Sequence, residues 1–253
     1  ALIPAMAGIP RRIGWRGEYR YKLLTDLRIL HEARFPRMID RYMALGFPAN
    51  LALSANQLPE APLFPRLTTD PASQDRLVTA HGLDRSRLVA ICPGAEFGPA
   101  KQWPIDYFSD LVTRLIDDGY QIVLLGSPND ADDSRRLTDQ IEESKRESLV
   151  NLAGLTSIPE AVDVIELSKA VVTHDSGLMH VAAATGRPLV ALFGPSSPEH
   201  TPPLSEMAVT LTHPVPCHPC FERECPLEHQ ACLSELSVDE VFDAVSQQIQ
   251  RIA

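Results

Sequence analysis

The stretch "AVVTHDSGLMHVAAATGRPLVALFGP" (Ala170–Pro195) decides the fold. Ala170–Thr173 is a short run in which Val171, Val172 and Thr173 are β-branched, which predicts a buried strand. His174-Asp175-Ser176-Gly177 interrupts it, and Gly177–Thr185 follows as a candidate helix. Leu189–Phe193 is a second apolar run. A strand, a crossover helix and a second strand make a βαβ unit, which requires the two strands to be parallel.

The same alternation extends in both directions. Leu88–Cys92, Gln121–Leu125, Leu149–Leu152 and Ala208–Thr212 are further expected strands, and Ile105–Asp118, Asp130–Ser144 and Ile158–Ser168 expected helices. The first of these helices has clear punctuation: Pro104 at its start, a stripe of Phe108, Leu111, Val112 and Leu115, and Gly119 after its last turn. Val245–Ile252 is expected as a C-terminal helix. The class is therefore α/β with a parallel sheet, and ligands of such sheets gather at the carboxyl ends of the strands.

Upstream the pattern changes. Residues 1 to about 50 are basic and aromatic, with a helix expected within Phe35–Phe47, and prolines recur from Pro48 to Pro71, which favours an extended linker. A boundary near Thr68 divides the chain into 1–68 and 69–253. The start at Ala1, with neither a basic leader nor a long apolar core in "ALIPAMAGIP", reads as a chain cut from a longer protein. A formal charge of −10 over 253 residues argues against a nucleic-acid partner, and no apolar run reaches the roughly 20 residues of a membrane span.

Four loops lie at the strand ends. In "PGAEFGPAKQWP" (Pro93–Pro104), Lys101 stands just before a helix start, where free amides and an ammonium suit phosphate oxygens; a turn with a solvated lysine fits equally. "GSPNDADD" (Gly126–Asp133) offers Ser127, Asn129 and Asp130 to a ribose or base edge, or simply caps the next helix. Asp175 can accept bonds from sugar hydroxyls, Ser176 and Gly177 can present a hydroxyl and amides to an anion, and His180 follows one turn later on the same face; a helix cap with a satisfied histidine is the plainer alternative. "GPSSPEHTPP" (Gly194–Pro203) should stiffen a loop beside the same face. Asp175, Ser176 and His180 do not make a hydrolase triad, because neighbours at a helix start cannot aim a base at a nucleophile, and the GxSxG elbow is absent.

Cys217, Cys220, Cys225 and Cys232 fall within sixteen residues in the spacing C-x2-C-x4-C-x6-C. They admit three readings: reduced structural thiols, a zinc or iron–sulfur site, or disulfides. Cys92 lies in an expected strand and reads as buried.

"AGIPRRIGWRGEYRY", "CPGAEFGPAKQWP" and "THDSGLMHVAAATGRPLVALFGPSSPEHTPPL" together resemble the ADP-heptose:lipopolysaccharide heptosyltransferases of glycosyltransferase family 9, most closely the type II enzymes. The resemblance implies a GT-B architecture: a Rossmann-like C-terminal domain that binds the nucleotide sugar, and the remnant of a second Rossmann-like N-terminal domain on the acceptor side. It implies inverting transfer of heptose from ADP-L-glycero-D-manno-heptose to the lipopolysaccharide inner core, without a metal or other cofactor. Lys101 would then stabilise the leaving diphosphate, and the donor would meet Glu96, Lys101, Ser127, Asp130, Asp175, Ser176, Gly177 and His180. The family's general base belongs to an opening glycine-rich segment not matched here, so the chain is expected to be the donor-binding part only. The basic segment Arg11–Arg28 would suit an anionic acceptor, or be a solvated surface. The implied location is cytoplasmic, with peripheral contact at the inner membrane. A same-family enzyme with another donor, a GT-B nucleotide-sugar epimerase and a non-catalytic metal or thiol module are the alternatives.

Overall fold

The computed structural model describes residues 1–51, 54–58 and 64–251. The chain divides into two compact units, the first Ala1–Leu63 with Glu199–Pro202, the second Phe64–Pro198 with Pro203–Ala253.

In the first unit, a short helix α1 (Leu2–Met6) precedes two parallel strands, β1 (Ile13–Trp15) and β2 (Asp26–Arg28). Helix α2 (Met38–Gly46) starts three residues inside the expected span, because a 3-10 turn over Glu32–Arg34 and then Pro36, which has no N–H to donate, precede it. Phe35, Ala44 and Leu58 form a small buried cluster on which Trp15 packs. The basic segment is largely committed to its own fold. Arg28 pairs with Asp26 and donates to the Ala44 carbonyl at 2.8 Å, and Arg12 donates to the Leu23 carbonyl at 2.6 Å. The expected linker 48–71 lies partly outside the described residues; within it, Ala55–Gln57 is a 3-10 turn and Phe64–Asp70 carries no regular structure.

The second unit opens with α3 (Pro71–His81), where the sequence reading had ended a linker. Its punctuation is complete: Asp70 accepts from the Ala72 amide at 3.0 Å, Pro71 occupies the first turn, and Gly82 closes it at φ +63°. Strands and helices then alternate: β3 (Leu88–Cys92), α4 (Ile105–Asp117), β4 (Gln121–Leu124), α5 (Ala131–Gln140), β5 (Leu149–Asn151), α6 (Ile158–Leu167), β6 (Ala170–His174), α7 (Gly177–Thr185), β7 (Leu189–Phe193) and β8 (Ala208–Thr212). A short α8 (Ala231–Ser234) and α9 (Val238–Gln250) complete it.

The strands form one parallel sheet in the order β5-β4-β3-β6-β7-β8. Counted within this unit, that is the 3-2-1-4-5-6 order of doubly wound dinucleotide-binding sheets. Alternate residues of each strand feed two cores. Val89, Ile91, Val172 and Leu192 pack with α4, α5 and α9, while Leu88, Ala90, Val171 and Ala191 pack with α3, α6 and α7. Coverage on both faces explains why β3, β4, β6 and β7 are buried at every position and read as unbroken apolar runs. The α4 stripe of Phe108, Leu111, Val112 and Leu115 is wholly inaccessible, each side chain contributing about 1.5–3 kcal/mol relative to exposure.

Two helix boundaries differ from expectation. Helix α5 ends at Gln140 and not Ser144, because Ile141 turns extended and enters the core while Arg146 donates to the Ile141 and Asp139 carbonyls, both at 2.9 Å. Helix α9 starts seven residues before the expected Val245, at a capping box in which Ser237 accepts from the Glu240 amide and Glu240 accepts from the Ser237 amide. Ile252 lies outside the described residues.

Candidate functional site

Strands β3 and β6 are hydrogen-bonded neighbours, yet α4 and α7, which follow them, pack on opposite faces. This is the switch point of the sheet, where the diverging loops leave a crevice. A cavity of about 480 Å³ opens there, lined from β3 by Cys92, Gly94 and Glu96, from β4 by Leu125–Pro128 and Asp130, and from β6 by Ser176–Leu178 and Val181. Five residues expected at the site thus meet in one cavity: Glu96, Ser127, Asp130, Ser176 and Gly177.

Ser176 is the N-cap of α7 in extended conformation, and no side chain caps the helix. Its hydroxyl lies 3.1 Å from that of Thr173 and so is turned toward the strand. The first amides of α7 therefore sit at the cavity wall with the positive end of the helix dipole. A Cβ on Gly177 would meet nothing within 4 Å, so no protein neighbour requires glycine there.

Lys101, on a 3-10 turn over Pro99–Lys101, reaches β6. Its Nζ donates to the Asp175 carboxylate at 2.6 Å and to the Asp175 carbonyl at 3.2 Å, and lies 4.8 Å from the centroid of the Phe97 ring. The two charged side chains are only 13% and 8% exposed, so the pair is largely desolvated. Removing one partner of such a pair costs about 3–5 kcal/mol. The sequence reading gave the two residues separate tasks; the fold joins them. Neither lines the 480 Å³ cavity, and neither does His180, which is exposed on α7 near both charges.

Ser127 and Asp130 do two things. The Asp130 carboxylate accepts from the Ser127 amide and hydroxyl, both at 2.7 Å, in a capping box ahead of α5, and both residues line the cavity. Gly94 and Gly126 make room for this: a Cβ at Gly94 would run into the Asp130 carboxylate.

Sequence reasoning missed two contributions. The loop after β5 supplies Thr156 and Ser157 to the cavity and the first turn of α6 adds Ile158 and Ala161; the strand-end rule applied to this loop as to the others. His174, expected just past the strand, is its last residue and is fully buried. Its ring accepts from the Trp103 amide at 2.8 Å and contacts the Gly94 carbonyl at 3.3 Å. Burial pushes its pKa down to about 4, with the Gly94 bond opposing, so the ring is neutral. The loop after β7 does not line the main cavity; its Gly194 and Pro195 line a separate one, and its residues Glu199–Pro202 belong to the first unit.

All four clustered thiols are free and line a separate cavity of about 20 Å³ together with Gly194, Pro195 and His218. Backbone N–H groups, that of Gln230 foremost, hold the Cys225 thiol below its ordinary pKa, whereas burial and the neighbouring thiols raise that of Cys232. Among the described residues no three His, Cys, Asp or Glu side chains are disposed to hold a metal ion, and no helix is long and apolar enough to cross a membrane.

A doubly wound parallel sheet with a polar crevice at its switch point defines a Rossmann-type ligand-binding domain. More particularly, the chain belongs to glycosyltransferase family 9, the heptosyltransferase family, whose model matches residues 1–231. It is 46% identical over 209 residues to lipopolysaccharide heptosyltransferase 2 of Escherichia coli (strain K12), covering 82% of this chain and 60% of that protein. It is 45% identical over 216 residues to lipooligosaccharide heptosyltransferase 2 of Haemophilus influenzae, covering 83% of this chain and 62% of the relative. The chain therefore spans less than two thirds of the length of these relatives. The solved structure of E. coli ADP-heptose lps heptosyltransferase II superposes with a TM-score of 0.89 at 39% identity, over all of this chain and 74% of that one.

Proposed function

We propose that the second unit is the donor-binding domain of an inverting heptosyltransferase that transfers heptose from ADP-L-glycero-D-manno-heptose to the inner core of lipopolysaccharide. One observation carries this reading: the uncapped start of α7, with the Lys101–Asp175 pair beside it, at the switch point of a sheet that matches a heptosyltransferase II at 39% identity. Family membership disfavours the epimerase and thiol-module readings.

In this proposal the adenosine lies against the loops after β4 and β5, near Ser127, Asp130 and Ser157, with Glu96 across from them. The diphosphate takes the first amides of α7 and the ammonium of Lys101. Asp175 shares Lys101 with the diphosphate and accepts from heptose hydroxyls, while His180 borders the same charges. The bond from the anomeric carbon to the diphosphate oxygen breaks as the acceptor oxygen bonds from the opposite face, which inverts the centre. Negative charge grows on the departing diphosphate, and fixed amides and Lys101 stabilise it more in the transition state than in the bound donor. Neutralisation by these groups needs no metal. The acceptor's proton goes to a general base on the acceptor side. Residues 1–68 are then the end of that domain and 69–253 the donor domain, and the enzyme works in the cytoplasm, peripheral to the inner membrane.

Calorimetric titration of the chain with ADP-heptose, ADP and UDP-GlcNAc, repeated for Lys101→Ala, tests the reading. Binding selective for adenine nucleotides, weakened about tenfold or more in the variant, is expected from loss of one charge-assisted contact. Equal affinity for the uridine nucleotide, or an unchanged affinity in the variant, would overturn it.

A further inference from the structure

His174 carries a hydrogen-bonding arrangement that the donor-site reading does not use. A backbone N–H can only donate, so Nε2 must accept from Trp103; a carbonyl can only accept, so Nδ1 must carry the proton toward Gly94. The two partners define one tautomer of a neutral ring. They also stand at the two ends of a single loop, Gly94 just after β3 and Trp103 just before α4. Between them lie Glu96, which lines the cavity, and Lys101, which grips Asp175, the residue next to His174. Phe108 meets the imidazole edge-on at 5.3 Å between ring centroids and Trp103 at 4.9 Å, so the ring plane is fixed by packing.

We propose that His174 is a positioning residue for the donor site: one imidazole clamps both ends of the Gly94–Trp103 loop to the end of β6 and so sets where Lys101 stands. The clamp closes a circuit through the protein. The loop is tied to the end of β6 by His174 at its two ends and, two residues before Trp103, by Lys101 to Asp175. If the first tie is lost, the loop keeps the Lys101–Asp175 pair and the bonds of the Ala100 amide to the Arg223 carbonyl and of the Gln230 side chain to the Pro99 carbonyl, but its two ends come free and the eight residues between them regain freedom. The amide of Trp103 would at the same time be left buried without a partner.

This inference rests on the donor-site reading, and its test separates the two. Three proteins are compared: the chain as it is, His174→Phe, which removes both bonds at similar size, and His174→Gln, whose side-chain carbonyl can still accept from Trp103. ADP and adenosine are titrated into each. A clamp that positions Lys101 predicts that His174→Phe loses about tenfold or more in affinity for ADP while adenosine binding stays within about twofold, and that His174→Gln recovers most of the loss. A purely structural histidine would weaken both ligands together, and that result would overturn the proposal. Amide hydrogen exchange, read without ligand, should show the Trp103 amide losing protection in His174→Phe while the amides of β3 keep theirs; unchanged protection at Trp103 counts against the clamp. Should His174→Phe not fold, nitrogen NMR of the unmodified chain decides: the Nδ1–H tautomer supports the clamp and the Nε2–H tautomer refutes it. If the unmodified chain binds no nucleotide, the donor reading fails and the role in binding falls with it, whatever the exchange data say of the loop.

Discussion

His174 shows how much chemistry one residue can carry without announcing it in the sequence. The polar interruption His174-Asp175-Ser176-Gly177 was legible as a site, but the histidine's partners stand 71 and 80 residues away, and no local spacing points to them. Its burial has a consequence for stability. With a folded pKa of about 4 against an ordinary 6.5, the ring stays neutral in the fold while the unfolded chain takes up a proton in between. Lys101 reinforces the depression, and Asp130 and Asp175 oppose it. The unfolded state binds more protons across this window, so stability is fully present above about pH 6.5 and declines as pH falls toward 4, by about 3 kcal/mol from this group. Urea midpoints measured from pH 7.5 to 4.5 should fall less steeply for His174→Gln than for the parent chain. The cysteines give a second residue-scale expectation. Burial raises the Cys92 thiol to about 12, whereas backbone amides favour the Cys225 thiolate. Under limiting iodoacetamide at pH 7.5, Cys225 should alkylate first and Cys92 only after denaturation, as peptide mapping would show. Early labelling of Cys92 would mean that the carboxyl end of β3 opens in solution.

At the scale of elements, legibility followed burial and punctuation. Strands β3, β7 and β8 and helix α7 have the expected bounds, because apolar runs closed by Gly, Pro or a polar cluster leave little choice of ends. Helix α3 was hidden by the prolines that precede it, although Asp70-Pro71 and Gly82 are a start and a stop. Helix α9 begins earlier than its apolar residues near the C-terminus suggest, because its start is set by the polar box of Ser237 and Glu240, three residues apart. That box is testable. Ser237→Ala removes the acceptor for the Glu240 amide and leaves the buried stripe of Val241, Val245 and Ile249 untouched. The variant should lose about 1 kcal/mol in urea unfolding with no change in m-value, the usual worth of a cap. Ser157→Ala breaks a box of the same kind on α6, but Ser157 also lines the 480 Å³ cavity. It should lose a similar stability and also weaken adenosine binding, which separates a cap that only holds a helix from one that borders the ligand.

At the scale of the whole molecule, the two units bury apolar clusters of unequal size and hold one tryptophan each. Phe35, Ala44 and Leu58 anchor the first, with Trp15 packed on Phe35 at 5.9 Å and donating to the Arg41 carbonyl. The second surrounds a doubly covered sheet, and Trp103 is 2% exposed within it. The sequence showed the change of pattern between the units, but not that Glu199–Pro202 returns to the first, because the Met38 amide bonding to the His200 carbonyl joins residues far apart in the chain. With only two tryptophans in the sequence, Trp15→Phe leaves Trp103 to report on the second unit and Trp103→Phe leaves Trp15 to report on the first. If the donor site lies wholly within the second unit, ADP can stabilise only that unit. At a hundred times its dissociation constant it contributes about 2.7 kcal/mol. For a domain of this size that raises the Trp103 melting midpoint by about 5–10 °C. The Trp15 midpoint should not move, since a ligand stabilises only the unit that binds it. Equal shifts from both reporters would show that the units melt as one cooperative body, or that the nucleotide touches both; a shift confined to Trp15 would place the site in the first unit and end the donor-domain assignment.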